Sequence, residues 1–135
     1  MAKIDDLEIG QSASYERTVS EEDIVRYAEV SGDDNPVHLD EEFASKTLFK
    51  GRIAHGMLGA GFISTVVGTR LPGYGSIYVS QSLRFRAPVR IGDTVVTTAT
   101  VKSIDKERKR VTMETVCAIG DKIVIDGEAE LMLTA

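Results

Sequence analysis

The chain has 135 residues, 42% hydrophobic and 27% charged, with sixteen Lys and Arg against twenty-one Asp and Glu. That length fits one domain, 1–135, large enough to bury roughly two-thirds of its unfolded surface in a single core. A net charge of −5 argues against a general nucleic-acid or anionic-membrane binder. One cysteine and two histidines leave no disulfide framework and too few ligands for a structural metal site. Met1 to Gly10 lacks a signal-like apolar core. The longest uncharged run, between Arg52 and Arg70, is slightly short for a membrane span and is interrupted by His55 and several glycines. A cytoplasmic, soluble protein with no membrane or nucleic-acid partner is the expectation.

In chain order, Gln11 to Thr18 reads as a first strand. Ser20-Glu21-Glu22-Asp23 opens a helix with a capping box, and Val19 can staple against Ile24. Ile24, Val25 and Ala28 form its apolar stripe, with Tyr27 close to it. The run Ser31-Gly32-Asp33-Asp34-Asn35-Pro36 carries too much turn chemistry to continue that helix. Asp40 reads as the cap of a short helix from Glu41 to about Lys46. Gly56 to Thr69 is apolar on nearly every side, which predicts a buried helix. Its glycines call for close approach of other backbone, and Pro72-Gly73 ends it.

From Ser76 onward four strands are predicted, at about Ser76–Arg86, Asp93–Ile104, Arg110–Ile119 and Lys122–Leu133. Val95, Thr97, Ala99 and Val101 share one face, as do Val111, Met113, Thr115 and Cys117. Gly120-Asp121 suits a two-residue hairpin turn, and Asp105 to Lys109 a second hairpin loop. The fold class is α+β: one long buried helix wrapped by an antiparallel sheet.

Three places can carry chemistry. Asp33 and His38 bracket a rigid turn that can aim both side chains at one water, with histidine able to act as a base near neutral pH. Their spacing equally suits turn and surface residues. His55-Gly56-Met57 begins the apolar helix, where the Gly56 N–H can serve as an oxyanion hole or the glycine can serve packing alone. There His55 reads as a capping or core-edge residue. Ser64, eight residues on, either bonds a helix carbonyl or positions another group; G-x-S-x-G is absent. Gly73-x-Gly75 makes no dinucleotide loop, Lys106 to Arg110 reads as a solvated hairpin, and Cys117 as a small core residue.

Taken together, Tyr27…Ser31-Gly32-Asp33-x-Asn35-Pro36-Val37-His38, Phe43, Arg52-Ile53-Ala54-His55-Gly56-Met57, Ser64, Leu71-Pro72-Gly73 and Ser80-Gln81-Ser82-Leu83-x-Phe85-x-x-Pro88-Val89-x-x-Gly92-Asp93 resemble the MaoC-like, R-specific enoyl-CoA hydratases. The resemblance spans nearly the whole chain. It implies a hot-dog fold, a homodimer or higher homo-oligomer, and reversible hydration of a trans-2-enoyl-CoA to the R-3-hydroxyacyl-CoA. It assigns Asp33 and His38 to water activation, Gly56 to the oxyanion hole, Asn35 and Ser64 to positioning, and Met57 and Val67 to the acyl pocket. No metal or organic cofactor is implied, since CoA belongs to the substrate. Asp34 and His55 receive no role.

Alternatives are dehydration of R-3-hydroxyacyl groups on an acyl carrier protein, an acyl-CoA thioesterase, and an acyl-CoA-binding module. The helix from Gly56 to Thr69 contains no Asp or Glu, which counts against the thioesterase. A carrier protein would call for a basic cluster, with Arg84, Arg86, Arg90 and the 106–110 loop as candidates.

Overall fold

A computed structural model describes all 135 residues. After a single 3-10 turn at Ile4–Asp6 come β1 (Ser12–Thr18), α1 (Glu21–Ser31), α2 (Pro36–Leu39), α3 (Glu41–Ser45) and α4 (Gly56–Thr69). The strands β2 (Ile77–Gln81), β3 (Arg84–Phe85), β4 (Thr94–Asp105), β5 (Arg110–Ile119) and β6 (Lys122–Met132) complete the chain. The sheet is antiparallel, in the order β1-β4-β5-β6-β2, with β3 also paired to β6.

Local chemistry accounts for most of the boundaries. The Asp23 N–H donates to Ser20 Oγ and the Ser20 N–H to Asp23 Oδ2, each at 3.1 Å, forming the expected capping box. Val19 and Ile24 are both buried in one cluster. Gly32, at φ 82°, ends α1 in the left-handed region that glycine enters without strain. Asn35 caps α2 by accepting from the Val37 N–H, and Pro36 occupies its first position. This one-turn helix, unforeseen in the sequence, continues directly from the Asn-Pro turn.

The predicted strand Ser76–Arg86 is broken in two. At the break the Ser82 main chain lies directly against Gly127 of β6, where a Cβ would collide with the Ser82 carbonyl. Backbone bonding there passes from Ser82 N–H to Glu128 O at 2.9 Å, bending the chain between β2 and β3.

The predicted inward faces of β4 and β5 are buried throughout. Two clusters divide the core along α4. Val66, Val67 and Leu71 pack with Val101, Val111, Met113 and Leu131 at its C-terminal end. Phe62 and Ile63 pack with Val95, Cys117, Val124 and Ile125 toward its N-terminal end. The helix is not enclosed on every side: Gly56, Met57, Gly61 and Ser64 are exposed in the single chain. Gly59 is required by a side chain rather than by backbone, since a Cβ would stand 2.5 Å from Ile125 Cδ1. Gly61 faces open space.

Candidate active site

The turn after α1 is tied down by its own side chains. Ser31 Oγ donates to Tyr27 O at 2.6 Å and accepts from the Asp33 N–H at 3.1 Å. Asp33 Oδ1 accepts from the Asn35 N–H at 3.3 Å, an Asx turn that holds the carboxylate at the tip. Asp34 is exposed. One turn of α2 then carries His38 inward, leaving it 8% exposed. Its Nδ1 bonds to Ile53 O at 2.8 Å, a contact in which only the imidazole can donate. Nε2 is therefore the free basic nitrogen when the ring is neutral. Arg52 Nε donates to His38 O at 2.7 Å and its NH1 reaches Glu21, anchoring α2 from behind.

Burial pushes the His38 pKa below its ordinary 6.5. The Ile53 carbonyl opposes that shift, nearby His55 reinforces it, and Asp33 opposes it. The net effect favours the neutral imidazole. Ligating atoms of Asp33, His38 and His55 lie within 4.8 Å of one another. Their ring arrangement does not suit a metal: the two imidazoles stack at 3.8 Å with planes 29° apart. In-plane lone pairs of stacked rings cannot converge at a metal–nitrogen distance of about 2.0–2.1 Å.

Of the two roles expected for His55, cap or core-edge residue, its side chain makes no cap bond to α4, and the ring is buried. The ring lies between Tyr27 and His38, and its Nε2 donates to Asp33 O at 2.9 Å. No local pattern marks this contact, because it is tertiary: His55 stands 22 residues from Asp33.

Gly56 begins α4, and no side chain caps that end. Its amide is one of the unpaired donors of a helix start. A methyl group on Gly56 would meet the Phe85 ring at 2.7 Å. Beside Gly56 a cavity of about 580 Å³ extends between α4 and the sheet. Half-exposed Met57 and Phe85 stand at its outer end, and fully buried Val95, Cys117 and Val124 form its floor. Burial pushes the Cys117 thiol up, so it serves as wall rather than nucleophile.

Met57 therefore lines the cavity as the acyl-pocket reading expects, whereas Val67 is sealed in the C-terminal cluster. Ser64 lies on the exposed face about 12 Å along the helix from Gly56, at 1.5 Å per residue. Thr65 and Thr69, rather than Ser64, bond back to helix carbonyls. Within one chain, the structure brings together Asp33, His38, Asn35 and the start of α4, and leaves Ser64 and Val67 apart.

The basic candidates do not form one face. Arg86 pairs with Asp126 at 2.6 Å and Arg90 bonds Phe49 O at 2.5 Å, both near the cavity. The 106–110 loop is at the opposite end of α4, with Lys106 beside Asp5 and the Lys109 carbonyl bonded by the Leu133 N–H.

The chain is similar to known proteins over most of its length. An (R)-specific enoyl-CoA hydratase from Rhodospirillum rubrum is 57% identical over 131 residues, covering 97% of this chain and 91% of the relative. A 3-hydroxybutyryl-CoA dehydratase from Methylorubrum extorquens is 50% identical over 125 residues, covering 93% and 80%. The solved structure of R-hydratase PhaJ1 from Pseudomonas aeruginosa in the unliganded form superposes with a TM-score of 0.91 at 46% identity, covering 96% of this chain and 84% of that one. The family model for the MaoC like domain matches residues 6–122. With its hot-dog architecture of central helix and antiparallel sheet, the chain belongs to the MaoC-like family.

Proposed function

We propose that this protein catalyses reversible syn addition of water to a trans-2-enoyl-CoA, giving the (R)-3-hydroxyacyl-CoA, with Asp33 and His38 as its water-activating pair. The observation that carries the assignment of the pair is the buried His38, fixed through Nδ1 to Ile53 O and set within 4.8 Å of the Asp33 carboxylate. The relatives described above, whose names specify CoA thioesters of this kind, support the reaction.

In the hydration direction, His38 Nε2 takes a proton from water while the oxygen bonds to C3. The C2–C3 π electrons move into the thioester enolate, and the Gly56 N–H stabilises the oxygen on which charge develops. The proton passes through Asp33 to C2 on the same face, so one water is consumed and both groups are restored. Asn35 contributes by capping α2 and holding the turn. The apolar cavity beside Met57 takes the acyl chain. No electron transfer enters the reaction, and CoA arrives as part of the substrate.

A homodimer accompanies this reading. β2 lies at the edge of the sheet with Ile77, Tyr78 and Val79 exposed, and a groove continues from it to Met57, Ala60 and Gly61 of α4. A second copy paired along β2 covers that edge and closes the groove. Sedimentation equilibrium is expected to give twice the chain mass, and a monomer would remove this part.

The reaction is tested by following loss of conjugated-enoyl absorbance with crotonyl-CoA, then offering the product to R- and S-specific 3-hydroxyacyl-CoA dehydrogenases. Rapid turnover with oxidation only by the R-specific enzyme is expected. An S product, or free thiol release, would contradict the reading.

A further inference from the structure

His55 is left without a task in this scheme, yet its surroundings are more constrained than packing requires. The residue is 3% exposed, and Nδ1 is the chain's only buried side-chain nitrogen or oxygen without a hydrogen-bond partner. Because Nε2 faces the Asp33 carbonyl at 2.9 Å, it must carry the proton, and Nδ1 carries a lone pair. A ring needed only to fill an apolar slot would be better served by phenylalanine, which has no polar atom to strand.

We propose that His55 is the positioning residue of the Asp33–His38 pair, clamping the Asp33 main chain through Nε2–H and supporting the His38 ring on its face. This inference rests on the reading of Asp33 and His38 as the water-activating groups. Three elements meet at His55: the Asp33 turn through the hydrogen bond, α2 through the stacked His38 ring at 3.8 Å, and α1 through Tyr27 at 4.6 Å. The clamp fixes where the Asp33 turn stands relative to Gly56, the next residue after His55. The stack fixes the plane in which His38 Nε2 points.

It also couples the charges of the two rings, since protonation of one disfavours protonation of the other. The titratable groups facing the pair are Asp33 from the turn and Tyr27 from α1. Arg52 is turned to the His38 carbonyl and Glu21, and Arg86 and Cys117 lie along the cavity. The neighbouring His55 ring thereby adds to the lowering of the His38 pKa that burial begins.

Two variants separate the clamp from the stack. His55→Phe keeps a ring under His38 but cannot donate to Asp33 O. Turnover of crotonyl-CoA should fall about 10- to 100-fold with KM little changed, the usual scale for loss of a group that orients a reacting side chain. His55→Gln places an amide donor near the Nε2 position. It should recover most of that turnover, while the acid limb of its pH profile moves upward because the repelling ring is gone. Parental turnover in a folded His55→Phe variant, or no recovery in His55→Gln, would overturn the proposal.

Should either variant fail to fold, nitrogen-detected NMR of the parent decides the matter. His38 should be protonated on Nδ1 and His55 on Nε2 at neutral pH. The reverse tautomer at His55 would overturn the inference. A parent with the expected tautomers but no hydratase activity would remove the functional reading and leave the clamp on the Asp33 main chain standing.

Discussion

The two ends of α4 are built from similar residues and do opposite things. At the C-terminal end Val66, Val67 and Leu71 interlock with Val101, Val111, Met113 and Leu131, and this cluster is closed. At the N-terminal end Phe62 and Ile63 pack with Val95, Val124 and Ile125, but the cluster opens onto a cavity of about 580 Å³ beside Gly56. The hollow end also holds an uncapped helix start, two stacked imidazoles and an unpartnered nitrogen. Stability is concentrated where packing is complete, and chemistry where it is left unfinished.

This contrast can be broken most forcefully from the closed end. Leu131→Ala should lower unfolding free energy by about 2–5 kcal/mol, the range for emptying a packed leucine site. Urea unfolding measures that loss, while turnover of the remaining folded protein should be unchanged. A large loss of turnover in the folded fraction would mean that the two ends are not separable.

The hollow end should answer differently. Ile125 Cδ1 is the group that fits over Gly59, and its side chain also lines the cavity. Ile125→Val should cost about 0.5–1.5 kcal/mol, and because it enlarges the acyl space it should shift relative kcat/KM toward longer enoyl chains. An unchanged chain-length profile would place the acyl group elsewhere.

A smaller, pH-dependent effect separates the ends further. The folded-state pKa of His38 lies below 6.5, so between the two values the unfolded chain binds a proton that the folded chain refuses. Stability should therefore fall as pH drops from 6.5 toward the folded pKa, with no contribution from this group above 6.5. The acid limb of kcat/KM should likewise lie below pH 6.5. His38→Gln should remove the His38 component of the stability slope, which pH-dependent urea unfolding can measure.

Much of the frame was legible in the residues. The period-two faces of β4 and β5, the Ser20–Asp23 capping box and the limits of α4 all follow from local pattern, and the structure reproduces them. Local pattern did not reveal the break at Ser82, because its cause is Gly127 on another strand. Nor did it reveal that α4 has an exposed face: apolarity on all sides reports burial, whether by this chain or by another surface. In the candidate site the turn from Ser31 to His38 was readable from its spacing and family resemblance. His55 was not, since a histidine before a helix looks like a cap until its ring is seen beneath His38. Ser64 and Val67 show the converse limit: helical spacing gives direction along α4 but not which flank the cavity occupies.

The Asp33–His38 pair carries most of the proposed chemistry, and one paired measurement tests it directly. Asp33→Asn and His38→Gln are assayed for crotonyl-CoA turnover alongside thermal unfolding at pH 7. Each should lower kcat by about two to four orders of magnitude while both remain folded at that pH. Full activity in either folded variant would contradict the mechanism, whatever the stereochemistry of the product.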